Sequence, residues 1–187
     1  KSKNKDYVFP TVDRIEWVTT RRIDSKKSHD AHSHTKSAKG KSLDYEKDAK
    51  NHKALGDRGE YIVYCAELER IQKDLNVSEK RAEKYIDWKS RKGEDGCGYD
   101  ILSVNKDLSQ RYIEVKATQR SVGDTIFYYT ENELRFAKQQ AQNYHIYIVY
   151  DILKKKPKIW DLGNPFKEEG VLDLQPIKYI VRVKTKK

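Results

Sequence analysis

The chain contains 187 residues, of which 36% are hydrophobic and 36% are charged, and it carries a net charge of +10 at pH 7. This length is enough for one full domain with an appendage, and no segment approaches the roughly 18 apolar residues of a transmembrane helix. With two cysteines and no apolar leader segment, a disulfide-built fold and a visible secretory signal are excluded, and a cytoplasmic location is expected.

The positive charge favours a polyanionic partner, of which nucleic acid is the usual one. Much of the excess lies in the first fifty and last six positions, however, where lysine runs often serve only solubility. The sequence contains no methionine, so we expect a piece or processed product of a longer protein with further modules. A single disulfide between Cys65 and Cys97 is left open.

Residues 1–50 differ in composition from the remainder and are expected to form an N-terminal extension. Within it, residues 15–18 have the pattern of a strand that would end a preceding module, and residues 24–41 are polar enough to be a linker or mobile arm. Three histidines lie in this arm, namely His29, His32 and His34. They would suit a transition metal, but a polar flexible linker is the favoured interpretation.

Residues 51–187 have the patterns of a folded α/β domain. The apolar spacing and turn signals predict, in order, a helical lead-in over 44–53, a helix over 60–75, strands over 82–88, 99–104 and 111–118, a helix over 130–142, and strands over 145–152, 158–162 and 177–184. The last of these helices begins with a capping box in which Thr130 is the cap and Glu133 reaches back to it. This order predicts a central mixed β-sheet flanked by helices.

Charged residues occupy both strands of a predicted β-hairpin centred near Asp107. With the turn there, opposed residue numbers sum to about 214, which places Asp100 opposite Glu114. Because side chains alternate along a strand, Glu114 and Lys116 share one face, and the three charged groups are expected to converge. A divalent cation is the natural partner of two such carboxylates. A purely structural cluster of ion pairs is the alternative interpretation.

The convergence of these groups suits metal-dependent hydrolysis of phosphodiester bonds. Mg²⁺, or Mn²⁺ in its place, would be held by Asp100, Glu114 and the Val115 carbonyl, and would polarise the phosphate and lower the pKa of a bound water. Lys116 would orient or help to deprotonate that water and would stabilise the charge of the transition state. We therefore predict a metal-dependent nuclease in which Asp100, Glu114 and Lys116 are the catalytic residues.

Five segments in fixed order carry a more specific signal: GDRGEYIVYCAELERI (56–71), GCGYDILSVN (96–105), RYIEVKATQ (111–119), FYYTENELRFA (127–137) and NYHIYIVYD (143–151). They resemble the C-terminal domain family named after the plant protein NO VEIN. The D…ExK hairpin between helices also resembles the PD-(D/E)xK nuclease superfamily. The resemblance implies a restriction-endonuclease-like fold, which is often found in restriction and phage-defence proteins beside helicase, ATPase or reader modules.

By the same resemblance, the three charged residues of the hairpin match the metal and catalytic positions of the superfamily. The resemblance also implies roles for residues outside the hairpin. Glu60 matches an acidic residue of the first helix that joins the metal site in some relatives, or it is a helix-terminal glutamate favoured by the helix dipole. Gln119 follows the catalytic strand and is a candidate phosphate contact. Glu133 lies in the family's T-x-N-E segment and either contributes to the site or only completes its cap.

DNA, expected to be double-stranded, is the implied partner. Six basic residues around the site are candidates for phosphate contacts: Lys89, Arg91, Lys92, Arg111, Arg120 and Arg135. Trp88, Tyr128 and Tyr129 are candidates for base stacking or for core packing. Two other functions stay open, namely a catalytically silent nucleic-acid-binding module and a structural domain. A homodimer that cuts both strands is also compatible with the sequence.

Overall fold

A computed structural model describes residues 9–19, 45–93, 96–123 and 127–167. Its helices and strands are, in chain order, β1 (Glu16–Trp17), α1 (Tyr45–Leu75), α2 (Glu79–Ala82), β2 (Asp87–Trp88), β3 (Ile101–Val104), β4 (Gln110–Ala117), α3 (Glu131–Gln140), β5 (Tyr144–Tyr150) and β6 (Lys158–Asp161). The predicted lead-in and first helix are joined in α1, which is 31 residues long. None of the helices in the described ranges is long and apolar enough to cross a membrane.

The strands form one six-stranded mixed sheet in the order β1-β6-β5-β4-β3-β2. β4 runs antiparallel to β3 but parallel to β5. A parallel neighbour requires a crossover connection, and α3 lies in the connection between β4 and β5. The predicted α/β class, with a central mixed sheet flanked by helices, is confirmed, and the arrangement is consistent with a restriction-endonuclease-like core.

The hairpin of β3 and β4 has the predicted register. Ile101 lies opposite Ile113 and Leu102 lies opposite Tyr112, so that paired residue numbers sum to 214. Immediately before β3, the backbone N–H of Asp100 donates to the Ile113 carbonyl at 2.9 Å. Asp100 therefore lies at the edge of the hairpin, across from the second half of β4.

Different helices cover the two faces of the sheet. On one face, Ile62 of α1 packs in a buried cluster with Ile113. On the other face, Ala137 of α3 packs with Ile146 and Ile148 of β5. We call these the α1 face and the α3 face. Because neighbours in a strand point to opposite faces, Glu114 and Lys116 of β4 belong to the α3 face.

Gly59 lets α1 approach the end of β4 closely. A Cβ atom at this position would lie 2.8 Å from the Ala117 Cβ, which is nearer than two such carbon atoms pack. The helix therefore lies directly against the C-terminal end of β4. The next residue of the helix, Glu60, is brought to the same end of the strand as a consequence.

The expected strand over 82–88 is corrected by the structure. The chain is helical as far as Tyr85, through α2 and a 3₁₀ turn, and only Asp87–Trp88 pairs with β3. Ala82 is fully buried in a cluster that includes Leu68 of α1. Packing against α1, together with the good helix formers of this segment, favours the helix over a longer strand.

The N-terminal segment contributes a strand to the sheet. Glu16–Trp17 pairs in parallel with β6, and the Trp17 ring meets the edge of the Tyr147 ring with centroids 5.4 Å apart. This strand is therefore part of the six-stranded sheet. Both cysteines are free thiols. The predicted linker over 24–41, with its histidines, and the predicted strand over 177–184 lie outside the described residues.

Candidate active site

Asp100 is held from both of its neighbouring strands. Its Oδ2 accepts a hydrogen bond from the Val115 amide of β4 at 2.8 Å. Its carbonyl accepts from the backbone N–H of Lys89, just after β2, at 3.0 Å. The carboxylate is therefore fixed beside the two β4 residues, Glu114 and Lys116, with which it was expected to converge.

Lys116 is held between two carboxylates. Its Nζ lies 2.6 Å from Glu114 Oε1 and 3.1 Å from Glu133 Oε2, and it lies 4.8 Å from the centroid of the Tyr129 ring. Glu133 also completes the predicted capping box with Thr130 at the start of α3. The N-terminus of α3 therefore fixes the position of a lysine that stands on β4.

The aromatic ring beside Lys116 is itself fixed from behind. The hydroxyl groups of Tyr129 and Tyr144 lie 2.7 Å apart, and the Tyr144 hydroxyl donates to the Gly98 carbonyl at 3.2 Å. Gly98 has a φ of 87°, and a Cβ atom there would lie 2.7 Å from the Phe136 Cβ. Only glycine fits this position, because both its backbone angle and its surroundings exclude a side chain.

Glu60 lies near Asp100 but is engaged by other groups. Its Oε2 accepts hydrogen bonds from Trp88 Nε1, at 2.6 Å, and from the Ser90 hydroxyl. Its negative charge still acts on Asp100 and raises the pKa of that carboxyl. Glu60 therefore belongs to the electrostatic environment of the hairpin, while β2 and the turn after it determine its position.

The hairpin carboxyls hold their protons more tightly than usual. Burial, followed by the charge of Glu60, raises the pKa of Asp100 to about 7. Burial, followed by the charge of Asp100, raises the pKa of Glu114 well above its ordinary value. For Lys116, burial lowers the pKa, but the carboxylates of Glu114 and Glu133 outweigh burial and raise it overall. The ammonium group therefore keeps its proton at neutral pH.

We call these side chains the carboxylate cluster; its members are Glu60, Asp100, Glu114, Lys116 and Glu133. When ionised, it carries more negative than positive charge, and a divalent cation would offset the excess. The oxygen donors of Asp100 and Glu114 suit Mg²⁺. In the described ranges, no three His, Cys, Asp or Glu side chains are grouped to hold a metal ion. A metal here would therefore use two carboxylates, together with backbone and water oxygens.

A basic turn adjoins the cluster after β2. Lys89 and Lys92 both form ion pairs with Asp87, at 2.8 and 2.7 Å. The Arg91 guanidinium lies 5.5 Å from the centroid of the Trp88 ring, and the same indole donates to Glu60. The three basic residues predicted to contact DNA in this segment are therefore placed near the cluster.

The remaining candidates for phosphate contacts differ in exposure. Gln119 and Arg120 follow β4 and are exposed, as is Arg135 on α3. Arg111 is different, because it donates from Nε and Nη2 to the Tyr147 hydroxyl at 2.9 and 2.7 Å on the α1 face. Its expected role as a phosphate contact is wrong, since its guanidinium is committed to the interior.

A second polar network, which no local sequence pattern indicates, lies on the α1 face. Glu67 of α1 is fully buried and accepts hydrogen bonds from Arg70 at 2.7 Å, Ser103 at 2.6 Å and Tyr147 at 2.9 Å. Arg111 joins through the Tyr147 hydroxyl, and we call these five residues the Glu67 network. Glu67 and Tyr147 are 80 positions apart, so no local spacing could have indicated their contact.

A family model matches the central part of the chain. The model of the family described as Protein NO VEIN, C-terminal, matches residues 59–162. This range covers more than half of the chain and includes the whole carboxylate cluster and the Glu67 network. No curated protein and no solved structure matches the chain.

Proposed function

We propose that this chain, which belongs to the NO VEIN C-terminal family, is an Mg²⁺-dependent nuclease that hydrolyses phosphodiester bonds in DNA. The family match alone assigns no activity. The proposal therefore rests on the chemistry of the carboxylate cluster, and the assignment to the PD-(D/E)xK superfamily rests on the resemblance of the hairpin.

The unbalanced charge of the carboxylate cluster carries the proposal. Burial disfavours the charges of both carboxyls, and the charge of Glu60 further raises the pKa of Asp100, while the charge of Asp100 further raises the pKa of Glu114. A protein that needed this hairpin only for its fold would gain stability by replacing one of the two carboxylates. Their retention together is expected where a cation is bound in function.

Asp100 and Glu114 would hold the metal, with the Val115 carbonyl as a further oxygen donor. Bound there, Mg²⁺ supplies Lewis-acid polarisation of a phosphate oxygen and acidifies a coordinated water. The two carboxyls must lose their protons to bind it, so binding is expected to strengthen as the pH rises through about 7. Glu60 would act on this site through its charge.

Lys116 contributes a fixed positive charge. Glu114 and Glu133 hold its ammonium group in place and keep it protonated. In this state it can donate to a phosphate oxygen or to the attacking water, and it can stabilise the negative charge of the pentavalent transition state. Of the two roles considered for Lys116, the structure favours the cation over the proton acceptor.

The biological setting is proposed from the resemblance. A nuclease domain of this kind would serve as the cleavage module of a restriction or phage-defence protein, with other modules of a longer chain supplying recognition. The contacts to double-stranded DNA would come from Gln119 and Arg120 after β4 and from Lys89, Arg91 and Lys92 after β2, since these residues lie at the same end of the sheet as the cluster.

A catalytically silent DNA-binding module is the second candidate. It is favoured by one observation, which is that no three potential ligand side chains are grouped for a metal within the described residues. Both candidates predict DNA binding that weakens with salt. Only the nuclease predicts turnover that depends on a divalent metal.

Plasmid cleavage tests the proposal. Supercoiled plasmid, modified and unmodified, is incubated with the full chain and Mg²⁺, Mn²⁺ or EDTA, and nicked and linear products are quantified. We expect metal-dependent cleavage that Lys116→Ala reduces by about 100-fold or more, because a fixed charge at the transition state is lost. Lys138→Ala, which removes one exposed lysine from α3, serves as the matched control and is expected to retain activity.

The other outcomes are equally informative. Binding without cleavage in any metal would support the silent module. Cleavage that survives in EDTA, or that Lys116→Ala and Lys138→Ala reduce equally, would contradict the assignment of the carboxylate cluster as the active site.

A further inference from the structure

A second candidate binding site lies beside α2, away from the carboxylate cluster. It is a surface cavity of about 600 Å³ whose lining consists of Ser78, Lys80, Arg81, Lys84 and Tyr85. We call it the α2 cavity. None of its residues was assigned a role from the sequence, and its lining contains three cationic side chains, two hydroxyl groups and no carboxylate.

Opposite charges are separated on the two sides of this short helical segment. Glu79 and Glu83 alternate with the basic residues along the chain, yet neither lines the α2 cavity. Their charges act instead on Tyr64 of α1. Burial raises the pKa of Tyr64, and the charges of Glu83 and Glu79 raise it further. The helical spacing therefore turns the acidic side chains towards α1 and leaves the basic ones around the cavity.

The cavity cations have no acidic partner within the described part of the chain. Lys80, Arg81 and Lys84 are exposed and enter no ion pair among the described residues, in contrast to Lys89 and Lys92, which share Asp87. Like charges within one or two turns of a helical segment repel each other. An anionic ligand would remove that repulsion.

We propose that the α2 cavity binds the phosphate groups of a DNA strand, as an anchor separate from the carboxylate cluster. Arg81 presents a planar fork of donors that matches phosphate oxygens, and the lysines add point charges. Ser78 makes no side-chain cap bond to its helix, so its hydroxyl is available to a phosphate oxygen. Tyr85 offers a ring for stacking at the rim.

The chain path links the cavity to the candidate active site. Only Ile86 separates Tyr85 from β2, whose Trp88 pairs with Ile101 and donates to Glu60. The α2 cavity therefore precedes β2 in the chain, and the basic turn of residues 89–92 follows it, so that two basic segments flank the strand that contacts the cluster. Several phosphates in a row, and not a single small anion, fit an open cavity of this size and charge.

The proposal relies on the proposed function only for the choice of DNA as the polyanion. Its test is therefore made in EDTA, where cleavage is absent. Fluorescence anisotropy measures binding of labelled single-stranded and double-stranded oligonucleotides to the full chain between 50 and 200 mM salt. Over this range, the affinity of a strongly electrostatic binder falls by a factor of about 10³ to 10⁵.

The main variant is Lys80→Gln/Arg81→Gln/Lys84→Gln, and the matched control is Lys154→Gln/Lys155→Gln/Lys156→Gln in the exposed turn before β6. Both remove three positive charges, so a general electrostatic effect is the same in each. We expect the cavity variant to weaken binding by about tenfold or more and to lower the salt slope by about 2 to 3, while the control changes the slope by less than about 1.

Equal losses in the two triple variants, or no loss in either, would overturn the proposal. So would full competition by inorganic pyrophosphate at concentrations that leave the ionic strength unchanged, because it would identify a small-anion site. If the triple variant melts early by circular dichroism, Lys84→Gln alone is used, and a slope lowered by about 0.7 to 0.9 is expected. The outcome stands whether or not the chain cuts DNA.

Discussion

Two polar clusters lie on opposite faces of the same sheet, and they treat buried charge differently. In the Glu67 network, each acceptor oxygen of the buried glutamate is met by donors from Arg70, Ser103 and Tyr147. At its edge, burial would raise the pKa of Asp161, but His145 and Arg111 beside it lower the pKa overall. The charges in this network are compensated from within the protein.

The carboxylate cluster, whose β4 members Glu114 and Lys116 lie on the α3 face, lacks such compensation. One ammonium group serves Glu114 and Glu133 together, and among the described residues the Asp100 carboxyl accepts only the backbone hydrogen bond from Val115. The pKa values of Asp100 and Glu114 are raised for this reason, in addition to burial. A buried polar network whose groups all have hydrogen-bonding or charge partners stabilises a fold. A network that lacks some of these partners is destabilising and usually serves a function.

The largest difference between the clusters should appear when one charge is removed from each. Glu67→Gln leaves the partly buried Arg70 without its closest carboxylate and brings an amide donor towards Ser103 and Tyr147. We expect it to lower the free energy of unfolding by about 3 kcal/mol. Glu114→Gln should cost much less, because the relief of the repulsion with Asp100 offsets the lost contact with Lys116, which Glu133 still holds. Urea denaturation of both variants makes the comparison.

Glu69→Gln is the control for this experiment, since Glu69 is an exposed glutamate on the same helix. It is expected to change stability by less than about 0.5 kcal/mol. Equal destabilisation by Glu67→Gln and Glu114→Gln would show that both clusters are structural, and it would remove the main argument for an active site.

The next prediction concerns pH and Asp100. Its pKa is about 7 in the folded state and about 3.9 in an unfolded chain. Between these values the folded state binds more protons, so its stability falls as the pH rises from about 4 to about 7. Asp100→Asn removes this loss of stability, and the asparagine side-chain oxygen can still accept the hydrogen bond from the Val115 amide. Because Asp100 keeps some exposure, we expect a gain of about 1 to 2 kcal/mol at pH 8 and none at pH 4.

Thermal unfolding at both pH values measures this effect, with Asp57→Asn as a control on the exposed part of α1. Added Mg²⁺ should raise the melting temperature of the wild-type chain at pH 8 and should leave Asp100→Asn unchanged. A variant that is less stable than wild type at pH 8 would mean that the Asp100 carboxylate is compensated after all.

Local patterns predicted the α3 side of the molecule well. The turn near Asp107 and the alternation of β4 were sufficient for the hairpin register, and the capping box was sufficient for the start of α3. These features depend on neighbours within about fifteen positions. They brought Asp100, Glu114 and Lys116 together before any tertiary contact was considered.

The α1 side could not be predicted in the same way. Arg111 looked like a surface base, because its partner Tyr147 becomes a neighbour only through the pairing of β4 with β5. Ala82 was placed in a strand, because its burial against α1 depends on a helix packing that no local spacing encodes. Long-range contacts decide these positions, and local propensity is overridden there.

The smallest effect on stability and cleavage is expected from a substitution in the N-terminal cap of α3, which adjoins the carboxylate cluster. The Thr130 hydroxyl accepts from the Glu133 amide at 3.2 Å, while Glu133 Oε2 accepts from both the Thr130 amide and Lys116 Nζ at 3.1 Å. Thr130→Ala should cost about 1 kcal/mol in urea denaturation, and Thr130→Ser should restore it. Because the backbone amide still holds Glu133, Lys116 should keep its place and plasmid cleavage should fall only slightly. A loss of cleavage as large as that of Lys116→Ala would instead mean that the hydroxyl, through Glu133, controls the one cation of the cluster.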